Sequence, residues 1–163
     1  MSSDRIKKED NIDSEIIKKK LLSMIPIIFE RIIKKNEQES KHINTKFDCN
    51  SNVTISFKSY LKRLLKYTHI ESNTLIHALC LIDQLSLKKV YLSNNNIHKI
   101  FLAAVVISIK LLEDVVYVEK HYAYAGGISL LELAIIENEF LTFINFKACI
   151  SEKKFLIYYN SLN

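Results

Sequence analysis

Four charged side chains interrupt stretches whose other residues are apolar. Lys110 stands three residues beyond the run Ile100-Phe101-Leu102-Ala103-Ala104-Val105-Val106-Ile107. An ammonium left unpaired inside protein is strongly unfavourable, so Lys110 either meets a carboxylate or carries its head to solvent at an edge. Asp114 follows four residues later, the spacing that puts two side chains on one helical face. Asp114 and Glu113 fall near a helix C-terminus, where the backbone dipole disfavours acids, and this points to work outside that helix. Asp83 breaks the series Leu79, Ile82, Leu85, and Glu137 falls between Ile136 and Phe140. Spacing alone leaves plainer roles open: a snorkelling stem for Lys110, a solvated face for Glu137, an internal structural pair for Asp83. All four suit ion pairing and recognition rather than the making or breaking of bonds.

The residue patterns of catalysis are missing. The five histidines (His42, His69, His77, His98, His121) show no HExxH or HxxE spacing, and a lone His on a helix is ordinarily a surface or satisfied core residue. The three cysteines (Cys49, Cys80, Cys149) are odd in number and form no CxxC or Cys/His cluster. Neither a disulfide framework nor a zinc site follows, and a reducing compartment, cytoplasm or nucleus, is the expected setting. No nucleophile elbow or phosphate loop is present. No metal, cofactor or small-molecule substrate is expected.

These charges need helices to hold them. With 163 residues the chain is one domain in size and buries a core without crosslinks. Only 2 Gly and 1 Pro are present, which argues against turn-rich sandwiches and barrels and leaves an all-α fold. From Asp13 to about Asn36, Ile16, Ile17, Leu21, Met24, Ile25, Ile28, Phe29, Ile32 and Ile33 recur at helical spacing. Ser14 is the expected cap, and Pro26, which lacks an N–H, is expected to kink this helix. Residues 37–53 are polar and aperiodic and read as a flexible connection. Helical periodicity then runs through residues 54–163: about Ser56 to Tyr67, Ser72 to Leu87, Asn94 to Leu112, a short aromatic segment Tyr117 to Ala125, Ser129 to Phe143, and Phe155 to Leu162. The segment around Ile100 to Ile107 is apolar on every side, so it is the central helix of a bundle. Gly126-Gly127 breaks the chain between two helices and fits a backbone need for positive φ.

Charge narrows the partners. The net charge of +5 is spread out: 11 basic against 8 acidic residues through residue 46, 12 against 10 beyond it. Only three basic residues are Arg (Arg5, Arg31, Arg63), the type favoured for base readout and bidentate phosphate contacts, so nucleic acid is not the expected partner. The first ten residues are charged and lack the apolar core of a signal peptide, and no apolar run is long enough to span a bilayer. The N-terminal stripe with its flanking lysines would suit a membrane surface, but a helix packed on its own core explains it as well.

Six segments follow one another in a distinctive order: Ile55-Ser56-Phe57-Lys58-Ser59-Tyr60-Leu61-Lys62-Arg63-Leu64, Leu81-Ile82-Asp83-Gln84-Leu85, Asn96-Ile97-His98-Lys99, Ser108-Ile109-Lys110-Leu111-Leu112-Glu113-Asp114, Tyr122-Ala123-Tyr124-Ala125-Gly126-Gly127-Ile128-Ser129, and Glu132-Leu133-Ala134-Ile135-Ile136-Glu137-Asn138-Glu139-Phe140-Leu141. Their order and spacing resemble the cyclin box, and more narrowly the phosphate-pathway (P-type or U-type) cyclins of fungi and protists. The resemblance implies a single five-helix box, its third helix central and buried, preceded by an accessory helix. It implies binding and activation of a cyclin-dependent protein kinase, with Lys110 and Glu137 as kinase contacts. Asp114 becomes a candidate to pair with a kinase arginine that otherwise needs an activation-loop phosphate. Asp83 matches an acid that braces the second box helix to an Arg of the first, yet no Arg stands at the matching place; Lys58, Lys62 or Arg63 are the substitutes. The rival reading is a cyclin-fold nucleic-acid module without a kinase, since transcription factors reuse this fold.

Overall fold

The computed structural model describes residues 2–162 of the 163-residue chain, and the side chains of residues 13–162. The charged stretch read as lacking a leader lies outside the described side chains. The described residues form seven helices: α1 (Ser2–Gln38), α2 (Phe57–Tyr67), α3 (Ser72–Leu87), α4 (Ile97–Leu112), α5 (Glu119–Gly126), α6 (Leu130–Phe143) and α7 (Glu152–Asn160).

The core is built around α4. Twelve of its sixteen residues are buried, from Ile97 through Ile109 with Lys99 as the gap, and it packs against α2, α3, α5 and α6. The sequence asks for this: a helix without a polar face has to be surrounded by protein. Ala103 and Ala104, both wholly buried, let neighbouring backbones come close. Two buried histidines are anchored through a ring nitrogen, and His98 Nδ1 has no partner among the described residues. His77 Nδ1 lies 2.8 Å from Ser108 Oγ, and His98 Nε2 lies 3.0 Å from the carbonyl of Ile55. Burial lowers both imidazole pKa values below the ordinary 6.5, because it disfavours the charged ring.

The first helix differs from its expected form. It begins well before Ser14, which is therefore no cap; the Ser14 hydroxyl instead meets that of Ser72 at 3.0 Å. The helix runs on through Pro26 as one element. Ile17, Leu21, Ile25, Phe29 and Ile33 are buried in the same core as the box helices, on a face that packs against α2 and α3. Phe29 joins an aromatic cluster with Phe57 (centroids 5.4 Å apart) and Phe101 (6.2 Å). That cluster ties α1 to α2 and α4.

The polar stretch after α1 is fastened at Phe47. This side chain has no exposed surface and packs edge-on against Phe140 of α6 at 6.1 Å. Asp48 accepts from the backbone N–H of Thr45 at 2.6 Å, closing a local turn. A single buried aromatic leaves no period in the sequence, which is why the segment reads as mobile there.

Caps set the remaining ends. Ser56 caps α2 by accepting from the N–H of Ser59, Ser151 caps α7, and Ser129 with Glu132 forms a capping box on α6. Helix α3 starts at Ser72, as expected, with Glu71 at the cap position and no side-chain capping bond. The two glycines do different work. Gly127 ends α5 in the left-handed region at φ 69°. Gly126 is helical, and a Cβ there would come within 2.3 Å of the buried Leu102 side chain. Only one of the pair answers the expected demand for positive φ; the other answers close approach.

Candidate partner-binding surface

Lys110 lies in the last turn of α4, where the helix dipole favours a cation. Its ammonium donates to Glu137 Oε1 of α6 at 2.8 Å and to Glu119 Oε1, the first residue of α5, at 2.7 Å. Three helices therefore meet at one nitrogen. Burial lowers the Lys110 pKa, but the bonds from the two carboxylates outweigh it and leave it raised above the ordinary lysine value. Glu137 is 8% exposed, so its negative charge is held inside the protein opposite Lys110. Removing either member would leave the other charge poorly compensated.

The surface around this cluster is apolar. The segment leading from Lys110 to Glu119 exposes Leu111, Leu112, Val115, Val116 and Val118, with Val115 and Val118 each 75% exposed. Leu130 and Leu131 at the start of α6 are exposed as well. Scattered exposed apolar residues are ordinary, but a run of them on one loop beside a half-buried ion pair has the make-up of an interface.

The structure brings together only part of the predicted set. Lys110 and Glu137 meet. Asp114 does not share a helical face with Lys110, because α4 stops at Leu112 and Glu113 is already extended. Asp114 is exposed and makes no ion pair or side-chain hydrogen bond with other described residues. Its neighbour Glu113 serves the fold, because its carboxylate accepts from the N–H of Glu71 at 3.1 Å, at the start of α3. An acid unfavourable at the end of α4 is thus favourable at the N-terminus of α3.

Asp83 lies elsewhere. It is exposed and pairs with Lys154 of α7 at 3.3 Å, not with a basic residue of α2. Among the candidates of α2, Arg63 donates to the carbonyl of Tyr124 at 3.1 Å and lies over Gly127, bracing the α5 end instead. The expected α2–α3 brace is replaced by one from the C-terminal helix. Glu119 is the residue that sequence reasoning misses. It lies nine residues from Lys110 across a non-helical segment, so no period links them.

Among the described residues, no helix is long and apolar enough to cross a membrane. Comparison with known proteins gives one family, described as Cyclin, matching residues 14–148. The match takes in most of α1. Cyclin-U4-1 of Arabidopsis thaliana is 26% identical over 159 residues, covering 93% of this chain and 78% of that relative. PHO85 cyclin-like protein psl1 of Schizosaccharomyces pombe is 27% identical over 156 residues, covering 85% of this chain and 64% of its own. Cyclin-P3-1 of Oryza sativa subsp. japonica is 26% identical over 134 residues, covering 78% and 57%. The chain therefore spans less than two thirds of the latter two relatives.

Proposed function

This chain belongs to the cyclin family, and from that premise we propose that it binds and activates a cyclin-dependent protein kinase. It does so as a regulatory subunit without catalysis of its own, in the cytoplasm or nucleus. Its similarity to U-type and P-type cyclins and to a PHO85 cyclin-like protein favours phosphate signalling as the setting, within cell-cycle control more broadly.

The observation that carries this reading is the Lys110–Glu137 pair, 2.8 Å apart, beside the exposed apolar segment 111–118. A kinase reaches its active state when its regulatory helix moves so that a Lys–Glu ion pair can hold the ATP phosphates. A surface that binds only the moved helix shifts the kinase toward that state by its differential affinity. Leu111, Leu112, Val115 and Val118 supply apolar burial for such a helix. Lys110 and Glu137 supply one donor and one acceptor for backbone or side-chain groups at its edge. We assign Asp114 to a kinase arginine next to the activation loop, since its carboxylate is exposed and uncommitted among the described residues.

Titration calorimetry of the purified chain against the kinase it retains from lysate of its source tests the reading. Lys110→Ala and Glu137→Ala each weaken binding by about 2–4 kcal/mol if they are central contacts. Unchanged affinity in both variants refutes the site. Asp114→Ala retains most of the binding and lowers activity of the complex toward substrate; full activity contradicts the Asp114 assignment alone.

A further inference from the structure

We infer that Glu119 is a positioning residue of the kinase-binding surface, setting the Lys110 ammonium for a partner it does not itself touch. The inference rests on the reading that Lys110 faces a kinase. A lysine ammonium has three N–H donors. In the free chain one is directed to Glu137 Oε1 at 2.8 Å and a second to Glu119 Oε1 at 2.7 Å. One donor is left for an acceptor from outside. The lysine side chain keeps 33% of its surface exposed, so an incoming acceptor can reach it.

Glu137 alone would not fix the side chain. A lysine has a flexible four-carbon stem, and one bond leaves it free to swing about that contact. The second carboxylate approaches from a different element, the first turn of α5, and so restrains the head between two anchors. Partner binding then has little side-chain freedom left to remove.

The same contact spans the ends of the α4–α5 segment. Lys110 and Glu119 bracket Leu111 to Val118, which is without regular secondary structure from Glu113 to Val118 and carries the exposed valines. The clasp is reinforced inside the segment by the N–H of Tyr117 donating to the Tyr122 hydroxyl at 3.0 Å. Glu119 thus orders the charged and the apolar parts of the surface together. The first turn of α5 also favours an acid at that position.

The test measures kinase affinity and, separately, amide hydrogen exchange of residues 113–118 in the free chain. Glu119→Ala is expected to weaken kinase binding by roughly three- to ten-fold, the scale of one long side chain left to be ordered on binding. It is also expected to speed exchange in the segment. Glu119→Gln, whose amide oxygen still accepts from Lys110, should recover part of both effects. In a Lys110→Ala background Glu119→Ala should lower kinase affinity little further, because the loss is carried by the Lys110 ammonium; a purely structural role of Glu119 would lower affinity equally in both backgrounds. Kinase affinity of Glu119→Ala equal to or above wild type overturns the inference while leaving the proposed function standing. Failure of the wild-type chain to retain any kinase overturns the proposed function and Glu119's interface role together, whatever the exchange data show.

Discussion

At the scale of single residues, the charges that break apolar patterns sort by what they meet. Lys110 and Glu137 neutralise each other across two helices, and each is needed to make the other tolerable. Lys110→Met should therefore leave Glu137 and Glu119 facing each other without a cation, with Glu137 only 8% exposed. Breaking a buried pair from one side typically costs about 3–5 kcal/mol, and the partial exposure of Lys110 places this variant at or below the low end. The double variant Lys110→Met/Glu137→Leu should recover much of that stability by urea denaturation, while kinase binding stays lost. A double variant no more stable than the single would show that the pair is not coupled. The glycines give a second residue-level prediction. Gly127→Ala places a Cβ at φ 69° and should cost about 1–2 kcal/mol. Gly126→Ala forces the packed Leu102 to move and should cost about 1–3 kcal/mol. If either melts like wild type, that glycine is not required by its backbone or its neighbour.

At the scale of elements, α1 shows what a sequence conveys and what it withholds. Its apolar period is plain, because Ile17, Leu21, Ile25, Phe29 and Ile33 recur every four residues. The same stripe also holds Ile28, which is 42% exposed, and Ile27 beside it is 52% exposed. Periodicity identifies a face but cannot say how wide a neighbour covers it. Phe29→Ala should cost about 3–5 kcal/mol, whereas Ile27→Ala should stay within about 0.5 kcal/mol. Equal effects in urea denaturation would contradict the packing of α1 on α2 and α3. The helices after residue 54 were legible for the same reason: their apolar residues recur at helical spacing. Phe47, Glu119 and Lys154 were not. Each acts through a contact distant in sequence, made from a segment with no period around it or toward an element the pattern does not name. Asp114 was misplaced for a geometric reason, since the four-residue rule lapses once the helix ends at Leu112.

At the scale of the whole molecule, the buried imidazoles link stability to pH. His77 and His98 have native pKa values lowered by burial, while in the unfolded chain both return to the ordinary value near 6.5. The unfolded state therefore binds more protons as pH falls through 6.5, and stability drops with it. The loss begins near pH 7 and continues down to the lowered native values of the two rings. Denaturation midpoints measured from pH 8 to pH 5 should fall by this route. A midpoint that rises over that interval would contradict the buried, neutral state of both rings.

The described residues form a helical bundle with α4 at its centre, presenting the Lys110 cluster and one apolar segment at the end where α4, α5 and α6 meet. That arrangement is the one on which the proposed kinase-binding role rests. The most direct measurement is retention of a kinase from lysate of the source cell by the wild-type chain, read by mass spectrometry beside the charge-reversed Lys110→Glu/Glu137→Lys double variant, with both baits shown to be folded. A cyclin-dependent kinase enriched by the wild type and lost from the variant is the predicted result; a wild-type chain that retains no kinase, or a variant that retains it equally, contradicts the account.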